Sequence, residues 1–179
     1  MLNATWAVKR FFVFVIAISA LLLSVSVHAQ QDQSSATFTS KEGAFSVTLP
    51  GTPKEKSEDI SSNNGPTTLH TFMVERNEGQ NFFLVGYSDY QTKLDADASW
   101  ASVINGQVES LKGKITADKT VTLNGHPGRS VTIEVEGTLF LSTVYVAGNR
   151  LYQMMYGMPK GDAMPPDAKE FFDSFRILI

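Results

Sequence analysis

Residues 123–156, LNGHPGRSVTIEVEGTLFLSTVYVAGNRLYQMMY, leave little choice of fold. Asn124-Gly125, Gly137 and Gly148-Asn149 divide the stretch into apolar runs of strand length. Asn-Gly is a dipeptide that two-residue hairpin turns select, because both central positions need positive φ. Val131, Ile133 and Val135 alternate with Ser130, Thr132, Glu134 and Glu136, so this strand has one wet face. The pattern predicts a three-stranded antiparallel meander in the middle of a sheet. His126-Pro127-Gly128 is expected to extend the first turn.

The flanking segments add strands and two helices. A short strand is expected at 38–40. Phe45, Val47 and Leu49 alternate with Ser46 and Thr48 as in a half-buried strand, which Pro50-Gly51-Thr52-Pro53 ends. Residues 54–59 alternate in charge and read as an exposed edge strand guarded by those charges. Residues 61–66 have loop chemistry, 67–76 form a strand, and 77–80 reverse the chain. Residues 81–90, NFFLVGYSDY, are apolar on both faces around Phe82 and Val85, which predicts a central strand covered on both sides. Trp100, Ile104, Gln107, Val108 and Leu111 fall at helical spacing, with Asp97 as the expected N-cap and Gly113 as the stop. Gly106 falls on the opposite face, where it costs about 1 kcal/mol relative to alanine. Residues 114–123 return as a strand. After a Pro/Gly loop at 159–166, a short helix at 168–174 packs through Phe171, Phe172 and Phe175, and 176–179 form a tail or final strand. This order describes an α+β domain: a twisted, largely antiparallel sheet with one long and one short helix packed on it.

The amino-terminal segment reads as an address. Lys9 and Arg10 precede an uncharged run at 11–27, and Val27-His28-Ala29 supplies the exit that a signal peptidase reads. The division expected is a signal peptide at 1–29, a polar linker at 30–36 and one domain at 37–179. The mature protein is then secreted or periplasmic, without membrane insertion. The alternative is anchoring by an uncleaved segment, since the run nearly reaches bilayer length. The chain has no cysteine, which excludes disulfides, thiolate metal sites and cysteine nucleophiles. Without Lys9 and Arg10 the net charge of -3 becomes -5, a sign that disfavours nucleic acid as a partner.

Four landmarks, GAFSVTLPGTP, LNGHPGRS, NRLYQMMYGMP and FFDSFRI, stand in this order along the chain. Together they resemble the PsbP-like domains, relatives of the extrinsic photosystem II subunit that bacteria also export as small proteins. The resemblance spans essentially the whole mature chain. It implies an α/β/α sandwich around a twisted antiparallel sheet, an extracytoplasmic location, and roles in binding and assembly rather than catalysis. It supplies no ligand set for particular residues.

The candidate chemistry is thin. His70 and His126 are far apart in sequence and lack the spacing of a zinc site. No nucleophile elbow, phosphate loop or dinucleotide fingerprint occurs. Asp89, Asp95 and Asp97 form an acidic group more economically explained by helix capping and solvation than by calcium. Met154, Met155, Met158 and Met164 offer thioethers to copper(I), but strand alternation splits them between faces, so core filling is the better account. Phe82, Phe83, Tyr87, Tyr145, Tyr152 and Tyr156 supply core, or a groove if some stand open. Arg129, Arg150, Tyr152, Met154 and Tyr156 are the candidates for a partner or ligand surface. The expectation is an exported, non-catalytic binding or assembly module of the envelope, without cofactor or metal, whose partner is another envelope protein or an assembly. The alternatives are a carrier of a small apolar ligand in a Met/aromatic groove, and a hydrolase with an unrecognised site.

Overall fold

The computed structural model describes residues 35–179; the expected signal peptide and most of the linker lie outside them. The chain runs β1 (Ala36–Ser40), β2 (Phe45–Leu49), β3 (Lys54–Ser62), β4 (Gly65–Arg76), β5 (Asn81–Asp89), α1 (Ala96–Leu111), β6 (Lys114–Leu123), β7 (His126–Val135), β8 (Thr138–Ala147), β9 (Arg150–Pro159), α2 (Pro166–Ser174) and β10 (Arg176–Ile177). Ala36, assigned to the linker, already belongs to β1.

Seven strands form one antiparallel sheet in the order β3-β4-β5-β9-β8-β7-β6. The meander supplies its centre and one flank, as its hairpin chemistry requires: Asn124 and Gly125 sit at φ 49 and 83, and β7 pairs with β8 and β8 with β9. The charged strand β3 is an edge, and β5 lies inside between β4 and β9. Strands β1, β2 and β10 split off as a second, three-stranded sheet, because the segment between Leu49 and Lys54 carries two prolines and breaks the ladder.

The large sheet is covered on both faces. Phe45, Val47 and Leu49 of β2, with Ala168 and Phe171 of α2, pack on Phe83, Val85, Tyr152, Met154 and Tyr156. On the other face, Trp100 and Ile104 of α1 pack on Val131, Ile133, Phe140 and Val144. Because side chains alternate along a strand, each of β5 and β9 feeds both layers.

Four local expectations are corrected. Asp95, not Asp97, caps α1, accepting from Ala98 N at 2.8 Å. The helix stops at Lys112, itself left-handed at φ 53, while Gly113 is required for a different reason: a Cβ there would lie 2.5 Å from Ile133 Cγ2. The loop expected at 61–66 shrinks to Asn63-Asn64, since Ser61 pairs with Pro66 and Ser62 with Gly65. The Ser62 hydroxyl closes this turn, accepting from Asn64 N and donating to Gly65 O. His126-Pro127-Gly128 is strand rather than turn; Gly128 lies under the Tyr145 ring, where a Cβ would come within 2.5 Å.

Candidate functional site

Pairing register builds a row of side chains across five strands. Ser57 stands beside His70, His70 beside Tyr87, Tyr87 beside Tyr152, and Tyr152 beside Tyr145. The inner part of the row is closed. Tyr152 and Tyr156 are 0% exposed and Met154 is 1% exposed. Tyr152 donates to Gly43 O at 2.7 Å, and Phe175 meets both Tyr145 and Tyr152. Burial raises the Tyr145 and Tyr152 phenols above their ordinary range and pushes Tyr156 up to about 12. Three of the five candidate surface residues therefore lie inside the core, on strand positions that face β2 and α2.

The outer end of the row is partly open: Ser57 and Asp89 are exposed, His70 is half-buried, and Tyr87 and most of Arg150 are covered. The His70 ring stacks on Tyr87 with centroids 4.6 Å apart, and Ser57 Oγ lies 2.9 Å from His70 Nδ1. The Arg150 guanidinium sits 5.0 Å from the Tyr87 centroid and grips Asp89 through two bonds of 2.6 Å, Nε to Oδ1 and Nη2 to Oδ2. That paired contact holds the guanidinium above its usual range. Arg150 is thus fixed as a planar group beside an aromatic face, with Asp89 half exposed next to it.

Arg129 does not join this group. It shares its strand parity with Val131 and Ile133, which face α1, whereas Arg150 shares its parity with Tyr152 and Met154, which face β2. The two arginines stand on opposite faces of the sheet. Arg129 donates to Asp118 at 2.5 and 2.7 Å, and those hydrogen bonds hold the Asp118 carboxyl below the usual carboxylate range.

The remaining candidates are accounted for one by one. His126 begins β7 opposite Leu123 and is brought near no second histidine by the register. Asp89 is engaged by Arg150 and Asp95 by the helix end. Met154 and Met158 are buried in the β2-side layer, Met155 packs on the α1-side layer, and Met164 is exposed in the last loop. No cluster of three or more metal-type ligands occurs among the described residues.

Sequence reasoning missed the His70–Tyr87 pair and the role of Asp89. The first was within reach, because a reversal centred on 77–80 sets positions 70 and 87 opposite each other. The Asp89–Arg150 pair needs the β5–β9 neighbourhood, which no local pattern encodes.

No family model and no curated protein matches the chain. Among solved structures, the solution structure of cyanobacterial PsbP (CyanoP) from Synechocystis sp. PCC 6803 is similar with a TM-score of 0.57 at 10% identity. That likeness covers 88% of this chain and 98% of that one. A crystal structure from Bacteroides thetaiotaomicron VPI-5482 matches at a TM-score of 0.37 and 17% identity, covering 81% of this chain and 48% of its own. The fold is therefore PsbP-like, an α+β arrangement of antiparallel sheet and two helices.

Proposed function

We propose that the protein is an exported, non-catalytic binding or assembly module of the cell envelope, acting on another envelope protein. One observation carries the reading: the side chains with chemical potential are each committed to a contact inside the fold. Arg150 grips Asp89, Asp95 caps α1, His70 stacks on Tyr87, and Tyr152 and Met154 are core. What this leaves for recognition is a rigid rim of Ser57, His70, Arg150 and Asp89. Planar cations beside aromatic rings are common at protein interfaces. His70 has no hydrogen-bonded carboxylate among the described residues, which weighs against a hydrolase relay.

The test is affinity recovery from the native envelope with wild-type protein and with Arg150→Glu. One protein should be retained in constant ratio and be lost with the variant. Turnover of an ester or peptide that disappears with His70→Ala would defeat the proposal. Intact mass of exported material should show loss of residues 1–29, and full-length protein found only in membranes would remove the soluble export reading.

A second reading, a carrier of a small apolar ligand, is favoured by one row on the α1-side face. Met73, Leu84 and Met155 are neighbours there and are only partly buried. Saturable uptake of a fluorescent fatty acid, abolished by Leu84→Lys, would support the carrier, and absence of uptake would remove it.

A further inference from the structure

The large sheet ends in two edges that differ in charge density, with five charged residues among the nine of β3 and three among the ten of β6, none of them beyond Lys119. β3 reads KEKSEDISS, with charges of both signs along its length, a pattern that blocks pairing with another chain. β6 reads KITADKTVTL, is exposed from Lys114 to Thr120, and is rich in the β-branched residues that strands favour. A bulge between Ile115 and Ala117 interrupts its register, after which seven residues, Ala117 to Leu123, run regularly.

The turn fixes which backbone groups of those seven are unpaired. Leu123 and His126 close a two-residue hairpin and form a hydrogen-bonded pair. Alternation then turns the N–H and C=O of Val121, Lys119 and Ala117 toward β7, and those of Thr122, Thr120 and Asp118 outward. Pro127, opposite Thr122, agrees with this assignment: at that position the N–H points away from β6, so its lack costs this ladder nothing. An evenly spaced row of donors and acceptors lies along the outer side.

Charge selects what the row accepts. Asp118 is held by Arg129, whereas Lys119 has no ion-pair partner among the described residues. A second copy paired symmetrically over these seven residues sets Lys119 opposite Val121 and diagonal to its own counterpart, within reach of a long side chain, so two ammonium groups would meet there without a counter-charge. We propose that β6 is a docking edge for an extended segment of another protein, which adds as a strand along 117–123 and places a carboxylate beside Lys119. The inference rests on the binding-module reading and names a surface for it.

The probe is a synthetic heptapeptide of alternating threonine and valine with glutamate at its fifth position, which stands opposite Lys119 when the peptide adds antiparallel along 117–123, compared with the same peptide carrying lysine there. Amide hydrogen exchange is followed residue by residue at millimolar peptide. The glutamate peptide should slow exchange at Asp118, Thr120 and Thr122 at least about tenfold, leaving Lys119 and Val121 unchanged because they are already paired to β7. Lys119→Glu should reverse the preference between the peptides. Thr120→Pro should abolish protection at Asp118 and Thr122, since it deletes an outward donor without touching the β7 ladder. Three results overturn the proposal: no protection, equal protection by both peptides, or protection without peptide that grows with protein concentration, the mark of a second copy. Envelope recovery through the Arg150 rim is independent of all three, so a failure here leaves the binding-module reading to stand or fall on its own test.

Discussion

The two faces of the large sheet are closed by different means. On the β2 side, Phe45 meets the rings of Phe38, Phe72, Tyr87, Tyr152 and Phe175, and the Tyr152 hydroxyl is anchored on Gly43 O. Directional contacts run through that layer, where one buried polar atom, Arg76 Nε, has no partner among the described residues. On the α1 side, the helix lays Trp100 and Ile104 on β7 and β8, but three polar atoms buried on that side, Trp100 Nε1, Gln107 Oε1 and Ser142 Oγ, have no hydrogen-bond partner among the described residues. Apolar area dominates this layer, where Asn64 Nδ2 also donates to the buried Ser99 Oγ of α1 at 3.2 Å. The difference teaches that directional contacts weigh more on one face of the same sheet and apolar area more on the other.

The sharpest way to break the first layer is Phe45→Ala. Its ring is 0% exposed and central to the aromatic set, so chemical denaturation should show a loss of about 3–5 kcal/mol. Alkaline titration probes the same layer. The Tyr156 phenol is raised from 10.0 to about 12, so the stability it lends is whole below pH 10 and is lost as pH rises through 12. Tyr156→Phe should flatten the fall in stability over that window, and an unchanged slope would mean that Tyr156 titrates as in the unfolded chain. Removing one hydroxyl from each face compares them directly. Tyr152→Phe strips a buried carbonyl of its donor and should cost about 1–3 kcal/mol. Ser142→Ala removes a hydroxyl that has no partner among the described residues and should be neutral or stabilising by up to about 1 kcal/mol. If both variants lose equally, the contrast between faces fails. The smallest effect is Gly106→Ala on the outer side of α1. A Cβ there meets nothing within 4 Å, and thermal melts should report a gain of about 0.5–1 kcal/mol.

Much of this architecture was legible because it is local. The turns after Leu123, Val135 and Ala147 announce themselves through glycine and asparagine, and the Trp100–Leu111 stripe has a helical period. What stayed hidden is what non-local pairing decides. The same alternation marks β2 and β7, yet β2 leaves the large sheet for β10. Gly113 and Gly128 look like helix-end and turn glycines in sequence; both are glycine because a neighbouring side chain occupies the space of a Cβ. The candidate surface suffered most. Tyr152, Met154 and Tyr156 share a strand with Arg150, and only the position of β2 and α2 decides that three are interior and one is at the rim.

The partnership of β2 with β10 has a consequence for how the chain comes into being. Thr48 N donates to Ser174 Oγ across 126 positions, Arg176 pairs with Ser46, and Leu178 N donates to Ala44 O. A chain delivered from its amino terminus exposes Phe45, Val47 and Leu49 long before α2 and β10 are present to flank them. At about 5–20 residues per second, that interval is roughly 6–25 s. Throughout it β2 is an unfinished strand with an apolar face, open to whatever else can pair with it. The segment from α2 through β10 is thus a latch, and the time before the latch closes is when this protein most needs a chaperone or an empty neighbourhood.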